Sequence, residues 1–169
     1  MSQKIATCDL CDVHKNDSPG DFRVLPPLFK DFGAIKAFLG EVVTVQCFED
    51  NTPVKAAVES PGLGRVLVVD GGASLRRALL GGNLGTAAAR NGWAGVVIDG
   101  CVRDVAELAG QPVGIRALAA MPLPTERKQA GLSQVPVVIQ GVRIHPGDWL
   151  YADEDGMVVS RLPMHTHAS

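Results

Sequence analysis

The stretch that decides the fold is residues 65–99, RVLVVDGGASLRRALLGGNLGTAAARNGWAGVVID. Its two ends, Arg65–Asp70 and Ala94–Asp99, are β-branched apolar runs that predict strands buried on both faces. Between them, apolar residues recur at helical spacing over residues 84–90, and Gly92 is suited to end that helix. A buried strand, a helix and a second buried strand in this order predict a parallel crossover.

The flanking sequence extends this unit on both sides. Glu41–Cys47 predicts a strand followed by a turn over residues 49–53. Beyond Asp99, a short helix is expected over residues 104–109, with Val105, Leu108 and Ala109 facing inward, and then a strand over residues 113–120. The last third predicts four short, mostly antiparallel strands, separated by Gly and Pro turns, over residues 135–139, 142–144, 149–152 and 157–160. The chain is therefore expected to be an α/β protein with a mixed sheet.

Composition predicts one globular domain over residues 1–169. The 169 residues are 46% hydrophobic, enough for one core but hardly for two. We expect the core to span about residues 7–160, with a flexible tail over residues 163–169 in which neither His165 nor His167 binds a metal.

Charge and hydropathy disfavour two classes of partner, nucleic acids and membranes. Sixteen Lys and Arg against eighteen Asp and Glu give a formal charge of −2, without the basic block that phosphate tracking needs, so no direct nucleic-acid partner is expected. No apolar run approaches the length of a membrane span, and the first residues lack a secretory apolar region. We expect a cytoplasmic protein without membrane association.

The cysteines predict reduced thiols rather than disulfides: Cys8, Cys11, Cys47 and Cys101. The pair Cys8–Cys11 followed by His14 resembles a metal knuckle, but structural zinc needs four ligands and no second close pair is present. The favoured alternative is a short helix with Thr7 as its N-cap and Leu10 and Val13 on its buried side.

Gly81-Gly82-Asn83-Leu84 is the first candidate site. Glycines allow backbone amides to approach a ligand, and a helix start offers unpaired N–H groups with a partial positive charge. Together these features suit a carboxylate or a phosphate. The alternative is an ordinary loop in which Asn83 caps the helix.

Asp99–Asp104 is the second candidate site, because it follows a buried strand and leads into a helix at the same sheet edge. Arg103 offers a planar fork that matches a carboxylate, and Asp104 offers a hard oxygen ligand for Mg²⁺ or Mn²⁺. The alternative is that Asp104 caps its helix and Arg103 forms a surface ion pair. Cys101 between them is either a core or a site residue.

Other chemistries lack their motifs. The sequence has no G-x-x-x-x-G-K-[ST], no G-x-S-x-G and no H-E-x-x-H, and Gly62-Leu-Gly64 lacks the rest of a dinucleotide fingerprint. Nucleotide hydrolysis and serine hydrolysis are therefore disfavoured.

Four segments resemble the RraA-like proteins: residues 64–72, 77–85, 91–104 and 147–156. The resemblance runs from about Thr7 to Ser160 and is most specific in its centre. This family includes the regulator of ribonuclease E activity A and metal-dependent 4-hydroxy-4-methyl-2-oxoglutarate aldolases. It implies a swivelling β/β/α-type domain assembled as a homotrimeric ring, or as a hexamer of two rings.

The resemblance also implies an enzyme with a defined site. The loop Gly81–Leu84 would bind the carboxylate of a 2-keto (2-oxo) acid through backbone amides. Arg103 would bind the substrate and serve in catalysis, and Asp104 would hold Mg²⁺ or Mn²⁺. The implied reaction is the retro-aldol cleavage of 4-hydroxy-4-methyl-2-oxoglutarate to pyruvate, with oxaloacetate decarboxylation as a side activity.

This sequence departs from the aldolases of that family at one position. They carry an acidic residue twenty-one positions before the Arg, where this chain has Gly82, and the sequence does not identify the general base. The alternative function implied by the family is non-enzymatic inhibition of ribonuclease E. Retention of Asp104 favours the metal enzyme.

Overall fold

A computed structural model describes residues 6–18 and 20–165, which form four helices and twelve strands. The helices are α1 Thr7–His14, α2 Thr52–Val58, α3 Gly82–Arg90 and α4 Val105–Leu108. The strands are β1 Phe22–Val24, β2 Lys30–Asp31, β3 Phe38–Gln46, β4 Val66–Asp70, β5 Ala78–Leu80, β6 Gly95–Val102, β7 Gly114–Ala120, β8 Leu132–Ser133, β9 Val137–Ile139, β10 Val142–Ile144, β11 Trp149–Ala152 and β12 Met157–Ser160.

The centre of the fold is a parallel unit in the order β3-β4-β6-β7. β2 adds antiparallel to β7, whereas β11, β12 and β1 continue antiparallel from the first half of β3. The crossover predicted from residues 65–99 is thus present, with β4 and β6 as parallel neighbours. The mixed α/β sheet expected from the sequence is confirmed.

Two apolar clusters separate three layers. Strand alternation sends Leu67 and Val69 into a core against α2, α3 and α4, while Val66 and Val68 face a second core. That second core lies between the parallel strands and the antiparallel strands β9 to β12. The layers are therefore antiparallel strands, parallel strands and helices, which agrees with the β/β/α arrangement.

Helix boundaries and helix faces differ from the sequence prediction in several places. Thr7 is the first residue of α1 rather than its N-cap, because its N–H and hydroxyl both donate to Asp153. Val13 was expected to be buried but is 72% exposed. In α4 the prediction of three inward residues is also wrong: only Leu108 is buried.

The loop after β3 contains a helix that the sequence prediction missed. Residues 49–53 were predicted as a turn, but α2 begins at Thr52 with Pro53 in its first turn. Pro is well tolerated there because its missing N–H would have no helical acceptor. The turn therefore covers only the residues before Thr52.

The segment after β12 returns to the sheet. The Tyr151 hydroxyl accepts hydrogen bonds from the N–H groups of Met164 and His165, at 2.7 and 3.2 Å. His165 also places its ring against Trp149. His167, the other tail histidine, lies outside the described residues. No helix in the described part of the chain combines the length and apolarity needed to cross a membrane.

Candidate functional site

The two predicted segments meet at the carboxyl edge of the parallel strands. β6 continues to Val102, three residues beyond the strand predicted to end at Asp99, so that only Arg103 and Asp104 lie between β6 and α4. Arg103 donates its backbone N–H to the carbonyl of Leu80 at 2.9 Å, which places it beside Gly81 and the start of α3. The tertiary structure thus brings Gly81, Gly82, Asn83, Leu84, Arg103 and Asp104 together in one cleft.

Asp104 joins the two segments. Its Oδ2 accepts a hydrogen bond from the N–H of Gly82 at 2.8 Å, so it pairs one of the free donors at the N-terminus of α3. The alternative interpretation expected Asp104 to cap its own helix, α4, but its side chain makes no such hydrogen bond. Its backbone is left-handed, at φ 58° and ψ 44°, a conformation that Asp and Asn tolerate better than most residues.

The N-terminus of α3 presents free amides. The N-cap is Gly81 rather than Asn83, and the first helical bond runs from the N–H of Gly85 to the carbonyl of Gly81 at 2.9 Å. The N–H groups of Asn83 and Leu84 precede that bond and have no helical acceptor. They can therefore bind an anion, aided by the positive end of the helix dipole.

A cleft of about 120 Å³ encloses these groups. It is lined by Asn51, Ala78, Gly81, Gly82, Asn83, Leu84, Arg103, Asp104, Pro124, Thr125 and Arg127. Arg103 and Arg127 supply two cations, and Asp104 is the carboxylate among these lining residues. This balance suits an anionic ligand with more than one charged group.

Five of these lining residues were not predicted from the sequence, and three of the five, Asn51, Thr125 and Arg127, are polar. Asn51 Oδ1 accepts hydrogen bonds from the Thr125 hydroxyl at 2.9 Å and from Arg127 Nε at 3.2 Å. This contact holds the irregular segment around residues 124–127 over the cleft. No motif marks it, because the partners are more than seventy positions apart in the chain.

Asp50 holds the residues that follow this segment, 128–130, by hydrogen bonds. Burial opposes ionisation of its carboxyl, but hydrogen bonds from Thr52 and from the N–H groups of Lys128 and Ala130 outweigh it and lower its pKa to about 2. Asp50 is therefore ionised at neutral pH and keeps residues 128–130 against the start of α2.

The residues present fit a divalent cation held mainly by oxygen ligands from water and substrate. Asp104 is exposed on the cleft and uses one carboxylate oxygen for Gly82. Mg²⁺ and similar ions often bind one or two carboxylates and keep several waters or substrate oxygens. Among residues 6–18 and 20–165, no group of three His, Cys, Asp or Glu could form an all-protein metal cage.

Two other candidates lie away from the cleft. Cys101 is fully buried within β6 and does not line it. Asp99 is also buried in β6 and accepts a hydrogen bond from Gln140 at 2.8 Å. Burial raises the pKa of Asp99, and the nearby Asp70 carboxylate raises it further.

The known proteins that are similar to this chain differ in the activities that their names give. A relative from Albidiferax ferrireducens, provisionally named 4-hydroxy-4-methyl-2-oxoglutarate aldolase, is 68% identical over 95% of this chain and 97% of its own. A structure described as the RNA-processing inhibitor RraA from Thermus thermophilis matches with a TM-score of 0.91 at 44% identity, over 99% of both chains.

A third relative carries yet another activity in its name. It is described as an S-adenosylmethionine:2-dimethylmenaquinone methyltransferase from Geobacillus kaustophilus HTA426 and matches with a TM-score of 0.89 at 39% identity, over 95% of this chain and 97% of its own. A family model described as RraA-like, Aldolase/RraA, matches residues 7–159. The chain therefore belongs to the RraA-like family.

Proposed function

We propose that this protein is a lyase that cleaves 4-hydroxy-4-methyl-2-oxoglutarate to pyruvate by a retro-aldol reaction. The observation that carries the proposal is the juxtaposition of Arg103 and Asp104 with the free amides at the start of α3. The name given to the relative from Albidiferax ferrireducens supports the same reaction.

The cleft can bind each polar part of a 2-oxo acid. The N–H groups of Asn83 and Leu84 take the carboxylate next to the keto group, as anions bind at helix N-termini. The Arg103 guanidinium is placed to stabilise the charge that develops on the keto oxygen as the C3–C4 bond breaks. Arg127 can take the second carboxylate at the other side of the cleft.

Asp104 is the residue that would hold the divalent metal, Mg²⁺ or Mn²⁺. When bound, such an ion withdraws electrons from the keto group as a Lewis acid. The hydrogen bond from Gly82 fixes the Asp104 carboxylate in place before substrate arrives. Preorganisation of this kind avoids a reorganisation cost during the reaction.

Oxaloacetate decarboxylation is the expected companion activity. Both reactions break a C3–C4 bond and leave the same pyruvate enolate, so Arg103 serves both in the same way. The two reactions differ in one step, because only the retro-aldol cleavage requires removal of a proton from a 4-hydroxyl group.

The test is pyruvate release from both substrates in excess Mg²⁺ or Mn²⁺, with and without EDTA. Wild-type turnover should disappear with EDTA, with Arg103→Ala and with Asp104→Asn. The matched controls Arg143→Ala and Asp9→Asn change exposed residues outside the cleft and should leave turnover unchanged. Wild-type activity equal to the metal-catalysed blank on both substrates would refute the proposal.

Inhibition of ribonuclease E is the second candidate function. It is favoured by the 44% identity to a structure described as an RNA-processing inhibitor. A pull-down with ribonuclease E tests it, and no retention at micromolar concentration would refute it. Assembly into a homotrimer or hexamer stays a prediction, for which sedimentation in solution is the measurement.

A further inference from the structure

The space beside Gly82 is filled by a carboxylate from another helix. A Cβ atom built on Gly82 would overlap Oε2 of Glu107 and lie 2.8 Å from its Cδ. The carboxyl group of Glu107 therefore stands where the side chain of an acidic residue at position 82 would begin. Gly82 itself lines the cleft through its backbone.

Packing between α3 and α4 explains this placement. Gly82 and Gly85 lie one turn apart on α3, and a Cβ built on Gly85 would meet Cδ2 of Leu108 at 2.5 Å. Two consecutive side chains of α4 therefore pack against the two glycines, Glu107 against Gly82 and the buried Leu108 against Gly85. Exposed Glu107 is held beside the cleft by the same contact.

Glu107 is also chemically free to act. Its carboxylate has no hydrogen-bond or ion-pair partner among residues 6–18 and 20–165. Asp104, the carboxylate that lines the cleft, already accepts a hydrogen bond from Gly82. Glu107 does not itself line the cleft, but its carboxylate lies directly against Gly82, which does, and both of its oxygens are available.

We propose that Glu107 is the general base of the retro-aldol cleavage, an inference that rests on the function proposed above. Its carboxylate takes the proton of the 4-hydroxyl, and the C4–O bond becomes the carbonyl of one pyruvate. The electron pair of the C3–C4 bond forms the C2–C3 double bond of the enolate. The enolate then takes the proton back from Glu107 at C3, which yields the second pyruvate.

The difference between the two substrates makes this role testable. Oxaloacetate has no 4-hydroxyl proton to remove, so its decarboxylation does not need the base. Glu107→Gln should lower kcat for the retro-aldol reaction by about 10²-fold or more, the usual contribution of general base catalysis. Oxaloacetate decarboxylation by the same variant should match wild type, as should both reactions of the control Glu154→Gln, an exposed glutamate outside the cleft.

The split between kcat and KM gives a second readout. In the retro-aldol reaction Glu107→Gln should lower kcat with little change in KM, because the base acts on a proton in the transition state and does not bind the carboxylates of the substrate. An unchanged kcat would overturn the inference while leaving the lyase intact. Equal loss of both reactions would overturn it too, since Glu107 would then serve binding or folding. Inactivity of wild type on both substrates would refute the proposed function instead.

A relocation variant tests the position of the carboxylate. In the double variant Gly82→Asp with Glu107→Ala, the new aspartate occupies the space that the shortened residue 107 leaves. Retro-aldol activity should exceed that of Glu107→Ala alone. A folded double variant, verified by circular dichroism, that is no more active than Glu107→Ala would overturn the positional argument.

Discussion

Substitutions of Asp104 should separate its structural role from its chemical one. The left-handed backbone conformation at position 104 is unfavourable by about 1–2 kcal/mol for most L residues, including Ala, but not for Gly. Loss of the Asp104 hydrogen bond to Gly82 removes a helix cap worth about 1 kcal/mol. Asp104→Ala should therefore lower the free energy of unfolding by about 2–3 kcal/mol, and Asp104→Gly by about 1 kcal/mol.

Asp104→Asn should be the mildest change. Asn tolerates the left-handed conformation, and its amide oxygen can still accept the N–H of Gly82. Only the charge at the N-terminus of α3 is lost, which is worth about 0.3–1 kcal/mol. This variant should nevertheless lose metal-dependent turnover, because an amide is a poorer ligand for Mg²⁺ than a carboxylate.

The assay is thermal unfolding at one protein concentration, so that any assembly affects all variants equally. In a chain of this size each kcal/mol shifts the Tm by about 2–4 °C, so Asp104→Ala should unfold several degrees below Asp104→Asn. Equal Tm values for the Ala and Asn variants would refute the argument from backbone conformation and capping. Full turnover in Asp104→Asn would refute the metal role.

Three further predictions concern the core and the buried ionisable groups. Gly114→Ala should lower the free energy of unfolding, measured in urea, by about 1–3 kcal/mol, because its Cβ would overlap the buried ring of Phe38. The control variant Gly110→Ala has room for its Cβ, so equal urea midpoints for the two variants would contradict this packing argument. Burial raises the pKa of Asp99, so its contribution to stability is fully present below the unfolded pKa and is lost as pH rises through the folded pKa. Asp99→Asn should therefore stabilise the protein at pH 7 but not at pH 3, and a urea midpoint unchanged at both would count against it. Burial raises the pKa of Cys47 to about 12, so this thiol should resist iodoacetamide at pH 8 until the protein unfolds, as peptide mass spectrometry would reveal.

The sequence was most informative where burial and local spacing act together. The runs at Arg65–Asp70 and Ala94–Asp99 are apolar on both faces, a pattern that suits central parallel strands. Their shared direction sends the residues after both strands toward one sheet edge. For that reason the sequence predicts that Gly81–Leu84 and Arg103–Asp104 lie at the same edge of the sheet.

Short elements and helix faces were harder to predict. α4 has a single turn, so its spacing could not distinguish buried Leu108 from exposed Val105. The strand β6 continues through Cys101 because β7 and β5 pair with it there, and that pairing is a long-range contact. Local propensity carries little information about where such a strand ends.

The sequence by itself determined the fold class and the chemical types gathered at the sheet edge, because hydrophobic periodicity and residue chemistry are local properties. Only the tertiary structure decided which atoms those groups contact. In that structure the Asp104 carboxylate accepts a hydrogen bond from α3 rather than from α4, and Asn51 and Arg127 lie at the cleft. Glu107 also fills the space left by Gly82, because two helices approach closely only where a side chain is missing.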